Sequence, residues 1–248
     1  MIDRSIIERF FYYYADGRDV KAIIPFKKEG AKSRLGQFLS DRERAELAIM
    51  MLKDVLTALS NSEIAKIEII STGSWDEIAE EVNVAEIQAN AAPAKLTVSV
   101  REDARGLNET LNDAIANETE PVLILMADLP LTTPESINGI IEREEDVVIV
   151  PGRKGGTNAL FLRKPYEFFV SYYGTSYVAH RETARQRNLS CAVYDSFFIS
   201  TDIDEGEDLI ELLIHGNGFA AGYLRRIGVR LRVDRDAKTR AMVERGEK

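Results

Sequence analysis

An aspartate directly follows a long apolar run in the segment VLILMADLPL, residues 122–131. This run predicts a central strand over 122–128, buried on both faces of a mostly parallel sheet. Asp128 would then lie at the carboxyl edge of the sheet, where ligands bind in open α/β folds. Since a bare charge is costly to bury, Asp128 is either a helix cap or a ligand. Thr133, beside Pro134, is the better cap, so Asp128 is predicted to be a metal ligand or a catalytic carboxylate.

A second acidic segment, STDIDE at 200–205, offers further carboxylates. Glu207 follows Asp204 by three residues, which resembles a capping box and predicts a structural role for Asp204. Asp202 precedes this cap and is predicted to face the sheet edge. Asp128 and Asp202 come from separate connections and together suit Mg²⁺, which binds through one or two carboxylates plus substrate phosphates.

A basic loop, PFKKEGAKSRLG, follows the first predicted strand, KAIIPF at 21–26. Because the loop connects a buried strand to a helix, we expect it at the same sheet edge as Asp128. Cations and backbone N–H groups there would hold phosphates, whereas a solvated charged loop is the usual alternative, and both interpretations stay open. The loop is not a Walker A sequence. Its basic residues are Lys27, Lys28, Lys32 and Arg34.

Three further segments combine glycine with a hydroxyl or amide side chain. GRKGGTNAL, which contains Thr157, permits close backbone approach to a ligand, and a plain hairpin turn is the strong alternative. In YYGTSYVAH, Gly174 precedes Ser176, a predicted cap of the next helix, whose N-terminus would attract an anion. In DARGLNETL, Gly106 and Asn108 open a helix after a strand.

The chain has two histidines, and neither is predicted to be catalytic. His180 is expected to support the site, and His215 is expected to lie at a helix end. The sequence shows no arrangement of serine, histidine and aspartate that indicates a nucleophilic triad.

Composition excludes several classes of protein. The net charge of −9 and the pI of about 5.0 argue against a nucleic-acid or membrane-surface binder. The single cysteine, Cys191, excludes a disulfide framework and a cysteine-rich metal site. No apolar stretch approaches the roughly 20 residues of a membrane span, and the first residues do not form a signal peptide. We therefore expect a cytoplasmic protein.

Strand and helix patterns alternate along the chain, which predicts an α/β fold with a mainly parallel sheet. We expect a single domain over 21–234, with an appended helix over 1–20 and a charged, fraying tail over 235–248. The apolar face of the appended helix would pack on its own domain or on a partner chain, so a homodimer is one expected assembly.

In order, the segments PFKKEGAKSRL, GLNETL, MADLPL, GGTNAL, YGTSYVAH and TDIDEGEDL resemble the 2-phospho-L-lactate guanylyltransferase family of coenzyme F-420 biosynthesis. The resemblance covers about 21–215. MADLPL and TDIDEGEDL alone would indicate only the wider GT-A-like nucleotidyltransferases. Two departures are the extra residues 1–20 and Gly206, where related sequences often have proline.

The resemblance implies a three-layer α/β/α fold and the transfer of GMP from GTP to a small phosphorylated acid. That acid would be 2-phospho-L-lactate or phosphoenolpyruvate, and pyrophosphate would be released. Another GT-A-like enzyme, forming cytidylyl or sugar-nucleotide products, and a nucleotide-binding regulatory module without turnover are the alternatives. The resemblance also implies roles for single residues. Asp128 and Asp202 would bind Mg²⁺, and Lys27, Lys32 and Arg34 would contact the triphosphate and the leaving pyrophosphate. Gly106 and Asn108 would contact the nucleotide, and Thr157, Gly174 and Ser176 would contact the acceptor.

Overall fold

A computed structural model describes residues 19–28, 30, 32–92, 96–232 and 241–246 of the 248-residue chain. The helix predicted over 1–20 lies outside the described residues, except for Asp19 and Val20, which precede the first strand without helical structure. No helix in the described ranges is long and apolar enough to cross a membrane.

Strands and helices alternate through the described chain, as the sequence predicts. The strands are β1 (Lys21–Phe26), β2 (Lys66–Ser71), β3 (Thr97–Glu102), β4 (Val122–Leu125), β5 (Val147–Pro151), β6 (Thr157–Leu162), β7 (Cys191–Val193), β8 (Val229–Arg232) and β9 (Met242–Arg245). The α-helices are α1 (Asp41–Ser60), α2 (Trp75–Val82), α3 (Val84–Ala89), α4 (Leu107–Ala116), α5 (Pro134–Ile141), α6 (Ser176–Gln186), α7 (Asp208–His215) and α8 (Phe219–Arg226). Short 3-10 helices span Ser33–Gln37, Arg153–Gly155 and Pro165–Glu167.

The first seven strands form one sheet in the order β3-β2-β1-β4-β6-β5-β7. The pairs β1–β2, β2–β3, β1–β4 and β5–β7 are parallel, and only β6 runs antiparallel to its neighbours β4 and β5. This confirms the predicted α/β fold with a mainly parallel sheet. The chain passes from β1 to β2 on one side, whereas β4 lies on the other side of β1. The carboxyl ends of β1 and β4 therefore flank a topological switch point, where open α/β sheets bind ligands.

Strand β4 is buried on both faces, as its uninterrupted apolar sequence predicts. Leu123 and Leu125 belong to one apolar core, and Val122 and Ile124 belong to the core on the opposite face. The strand ends at Leu125, three residues before Asp128, so the predicted end of this strand was too late. Beyond it the chain turns, which frees Asp128 from the constraints of the sheet.

Residues 241–246 of the charged tail are described and contain strand β9, contrary to the expectation that the tail frays. Strand β9 pairs antiparallel with β8 in a separate two-stranded sheet. Within β9, the Arg245 guanidinium donates to the Glu43 carboxylate and, at 2.7 Å, to the Phe38 carbonyl. The hydrogen bond from Arg245 lowers the pKa of Glu43 to about 2. A partner about 200 positions earlier in the chain thus holds this segment.

A buried carboxylate on α1 caps α8 from a distance. Asp54 accepts the N–H of Phe219 at 2.6 Å and the N–H of Ala220 at 2.9 Å. The adjoining residue is Gly218, where an added Cβ would stand 2.1 Å from Asp54 Oδ1. Burial raises the pKa of Asp54 to about 6, although the two backbone N–H groups oppose the shift. The hydrogen bonds tie the start of α8 to α1.

We expect Asp54→Ala to lower the free energy of unfolding by about 1–3 kcal/mol, because two N–H groups at the start of α8 lose their acceptor. Urea unfolding followed by circular dichroism measures the change. Glu80→Ala, on an exposed helix position, is the matched control and should shift stability by less than about 0.5 kcal/mol. Equal effects of the two substitutions would contradict the capping role.

Candidate active site

The switch point brings three connections together: the loop after β1, the turn after β4 and the segment before α7. The Met126 N–H donates to the Asn158 carbonyl at 3.0 Å, and the Ile203 N–H donates to the Asp128 carbonyl at 3.1 Å. The Asn158 amide also donates to the Ile199 carbonyl at 3.1 Å. These bonds fix the turn that carries Asp128 against β6 and against the second acidic segment.

Lys32 lies between two aspartates at the centre of this edge. Its Nζ is 2.6 Å from Asp128 Oδ2 and 2.6 Å from Asp204 Oδ1, and its side chain is only 9% exposed. Burial alone would lower the pKa of Lys32, but the two carboxylate charges outweigh burial, so the pKa is raised. The backbone of Lys32 is left-handed, with φ +56°, a conformation that costs free energy for a residue other than glycine. The ion pairs at its side chain offset that cost.

The capping role predicted for Asp204 is wrong. Helix α7 begins at Asp208, whose carboxylate accepts the N–H groups of Asp204 at 2.9 Å and Glu205 at 2.7 Å. The side chain of Asp204 is therefore free to reach Lys32. The sequence did carry a signal, because residues two apart in an extended segment face the same side, and Thr201 and Ile203 are the two that are buried. By that alternation, the two aspartates at 202 and 204 belong to one face.

Asp202 lies near Asp128 and Asp204, the two partners of Lys32. Its Oδ1 atom is buried and has no hydrogen-bond partner among the described residues. Burial raises the pKa of Asp202, and the nearby charges of Asp128 and Asp204 raise it further. Asp128 and Asp204 thus share the Lys32 ammonium, and Asp202 lies near both of them. Their carboxylate oxygens are the donor type that suits a hard cation. Among the described residues, no group of three or more His, Cys, Asp or Glu is arranged so that it could hold a metal ion. Mg²⁺ does not require such a group, because one or two carboxylates suffice when phosphates and water complete its shell.

The remaining basic residues divide between two neighbouring cavities. The exposed Lys27 lines a cavity of about 210 Å³ together with Lys32 and Asp128. Arg34 is 66% exposed, contacts Glu205 at 3.3 Å and lines an adjacent groove of about 1000 Å³. The structure therefore places Lys27 and Lys32 beside Asp128 and places Arg34 on the flank of the acidic segment. Lys28 pairs instead with Glu81 on α2.

Thr157 and Ser176 meet behind this edge and are nearly buried, at 5% and 3% exposure. Ser176 Oγ donates to Thr157 Oγ1 at 3.2 Å, and Thr157 Oγ1 is 3.0 Å from Nδ1 of His180. Ser176 is the first residue of α6, not the cap before it, because Thr175 takes the cap position. Gly174 has φ +63°, which glycine adopts without strain and which turns the chain into α6. The hydroxyls predicted to contact the acceptor thus also bond to each other.

Gly106 and Asn108 lie beside the same turn. Gly106 precedes α4, and an added Cβ there would stand 3.5 Å from the hydroxyl of Tyr173. The Asn108 side-chain oxygen accepts the N–H of Tyr172 at 2.7 Å. Asn108 therefore ties the start of α4 to the segment that leads into α6. The nucleotide contacts expected of these two residues stay predictions.

The family follows from comparison with known proteins. A family described as guanylyl transferase CofC like matches residues 20–246. The chain belongs to this family. This confirms the resemblance drawn from the ordered motifs, and it extends that resemblance through the β8–β9 pair.

Individual relatives agree with the family. The 2-phospho-L-lactate guanylyltransferase of Methanococcoides burtonii is 42% identical over 207 residues, which cover 84% of this chain and 89% of the relative. The enzyme of that name from Methanosarcina acetivorans is 45% identical over 207 residues, with 84% and 92% covered. Among solved structures, a nucleotide-diphospho-sugar transferase from Desulfovibrio desulfuricans G20 superimposes with a TM-score of 0.61 at 18% identity, over 84% of this chain and 94% of that one. This last likeness shows the fold alone.

Below neutral pH we expect His180 to destabilise the protein. Burial lowers its pKa to about 4, whereas a histidine in the unfolded chain titrates near 6.5. The stability that comes from the neutral ring is complete above pH 6.5 and is lost as the pH falls towards 4, by about 2–3 kcal/mol. Urea unfolding between pH 4 and pH 7.5 measures this loss.

The half-exposed His215 provides the matched control. His180→Asn should lose part of the pH dependence, and His215→Gln should keep all of it. If both variants and the wild type showed the same slope, His180 would not be buried in the neutral form.

Proposed function

We propose that this protein joins GMP from GTP to the phosphate of 2-phospho-L-lactate or phosphoenolpyruvate and releases pyrophosphate, in coenzyme F-420 biosynthesis. Membership of the guanylyl transferase family and the names of the relatives support the reaction type. The observation that carries the proposal within the structure is Lys32, held between Asp128 and Asp204 at the switch point. A site of this kind has both the carboxylates that bind a cation and the cations that bind phosphates.

The chemistry asks for positioning and charge stabilisation more than for proton transfer. A phosphate oxygen of the acceptor attacks the α-phosphorus of GTP, and the bond from that phosphorus to the bridging oxygen of the β-phosphate breaks. The electron pair leaves with pyrophosphate. Because the acceptor oxygen is already anionic, no general base is needed, which agrees with a site whose buried histidine stays neutral.

Two sets of residues would serve this reaction. Asp128 and Asp202, with Asp204 beside them, would hold Mg²⁺, which would neutralise charge on the phosphates when bound. Lys27 and Lys32 would contact the triphosphate and stabilise the leaving pyrophosphate. The same residues would draw together two anions that otherwise repel each other.

The test is a pyrophosphate-release assay with Mg²⁺, four nucleoside triphosphates and three acids: phospholactate, phosphoenolpyruvate and 3-phosphoglycerate. We expect release only with GTP and with one of the first two acids. A preference for CTP would replace the proposal with a cytidylyltransferase. Nucleotide binding without release under every condition would indicate a regulatory module.

Asp128→Asn should lower kcat by at least about 100-fold, because the Mg²⁺ that Asp128 would help to hold would lose a charged ligand. The melting temperature should stay near that of the wild type, since Lys32 keeps Asp204 as a partner. Asp76→Asn, at an exposed helix start, is the control and should leave kcat unchanged. Normal turnover of Asp128→Asn would refute the placing of this carboxylate at the reacting centre.

Lys32→Met should lower kcat/KM for GTP by about 100- to 1000-fold, because the triphosphate loses a buried cation and two carboxylates face it unpaired. Lys164→Met is the matched control: Lys164 is exposed and follows β6 at the opposite edge of the sheet. Steady-state kinetics at saturating acceptor measures both. An equal, small effect of the two substitutions would show that Lys32 does not contact the triphosphate.

A further inference from the structure

A buried histidine lies behind the hydroxyls of Thr157 and Ser176, for which the family resemblance implies contacts with the phosphorylated acid. His180, on α6, is fully buried. Its Nε2 lies 3.0 Å from the backbone N–H of Ser171, and a backbone N–H can only donate. Nε2 must therefore be the unprotonated, accepting nitrogen. The single proton of the neutral ring is thereby fixed on Nδ1.

The fixed proton sets the direction of the next hydrogen bond. Nδ1 of His180 donates to Thr157 Oγ1 over 3.0 Å. In the structure Ser176 Oγ also donates to Thr157 Oγ1, at 3.2 Å. Thr157 thus accepts two bonds through its two lone pairs, and neither bond uses its own hydroxyl proton.

That arrangement has one alternative with the same heavy atoms. The Thr157 proton cannot turn towards His180, because the imidazole already presents a proton there. It can turn towards Ser176 Oγ. Ser176 then accepts this hydrogen bond and can donate its own hydroxyl proton to another acceptor. Ser176 begins α6, where an anion is favoured by the helix N-terminus.

The ring itself has little freedom to change its role. Tyr172 packs edge-on against His180, with ring centroids 4.8 Å apart, and Phe168 lies at 6.1 Å. Thr157 is held by β6, and Ser171 lies in the segment that Asn112 fixes through the N–H and the carbonyl of Val170. Packing therefore holds the imidazole in the orientation that the two hydrogen bonds require.

We propose that His180 is a positioning residue for the acceptor: its Nδ1–H fills one lone pair of Thr157, so that Thr157 can donate to Ser176 and Ser176 can donate to an anionic oxygen of the phosphorylated acid. The chain of donors then runs from the Ser171 N–H through His180, Thr157 and Ser176 to the acceptor. The inference rests on the proposed function and adds a residue that does not touch the substrate.

Two substitutions at His180 separate the two hydrogen bonds of the ring. His180→Asn places an amide N–H near the position of Nδ1 and keeps the bond to Thr157. His180→Gln places an amide oxygen near Nε2 and keeps only the bond to Ser171. We expect His180→Gln to raise KM for the acid about tenfold with KM for GTP unchanged, and His180→Asn to stay within about twofold of the wild type.

A double-mutant cycle tests the connection through Thr157. Thr157→Val should raise KM for the acid by about the same factor, and the double variant with His180→Gln should raise it no further. Independent, multiplying effects would overturn the proposal, as would equal losses in both His180 variants with KM for GTP also raised. The latter pattern would indicate a role in packing only.

Nuclear magnetic resonance of the wild-type protein, labelled with ¹⁵N-histidine, keeps the proposal testable if the variants do not fold. We expect a proton on Nδ1 and none on Nε2 of His180, and a shift of the Nδ1–H signal when phospholactate is added but not when GTP is added. A proton on Nε2 would overturn the proposal. Wild-type pyrophosphate release, measured on the same sample, separates this outcome from a failure of the proposed function.

Discussion

The ion pairs of Lys32 with Asp128 and Asp204 are the interaction on which the rest of the site depends. Three carboxylates converge at one sheet edge, and like charges this close repel one another unless a cation stands among them. The Lys32 ammonium supplies that cation, and in doing so it fixes the loop after β1 against the turn after β4. The loop accepts a left-handed backbone at Lys32 to achieve this contact. The two ion pairs thus coincide with a backbone conformation that local preference disfavours.

Sheet order is what makes the contact available. Because β1 and β4 are neighbours, the residues after each strand meet although they lie 96 positions apart. The antiparallel β6 then brings Thr157 and Asn158 back to the same edge, next to the turn of Asp128. A purely parallel sheet would place the start of that strand at the far edge. The single reversed strand thus brings Thr157, for which an acceptor contact is proposed, to the same edge as Asp128, for which a metal contact is proposed.

The sequence predicted what depends on burial and on short patterns. The apolar run before Asp128 identified the central strand, and the ordered motifs identified the family. The role of Asp204 was missed because a capping pattern is local, whereas the helix begins at Asp208 and the Asp204 side chain contacts Lys32, 172 positions away. Strand β9 was missed for the same reason, since Arg245 finds Glu43 only in the folded chain. Long-range charge pairing is not visible in the spacing of residues.

Both sides of the site carry a feature that is incomplete without a ligand. Where the metal is proposed to bind, Asp202 keeps a buried oxygen that has no hydrogen-bond partner among the described residues. Where the acceptor is proposed to bind, Thr157 accepts hydrogen bonds from His180 and Ser176, and neither bond uses its own hydroxyl proton. A bound cation would pair with the Asp202 oxygen, and a bound anion would accept a proton from the hydroxyl pair. Under the proposed function, Mg²⁺ bound with the nucleotide would pair with the Asp202 oxygen, and the anionic acceptor would accept the hydroxyl proton that Thr157 and Ser176 have to donate.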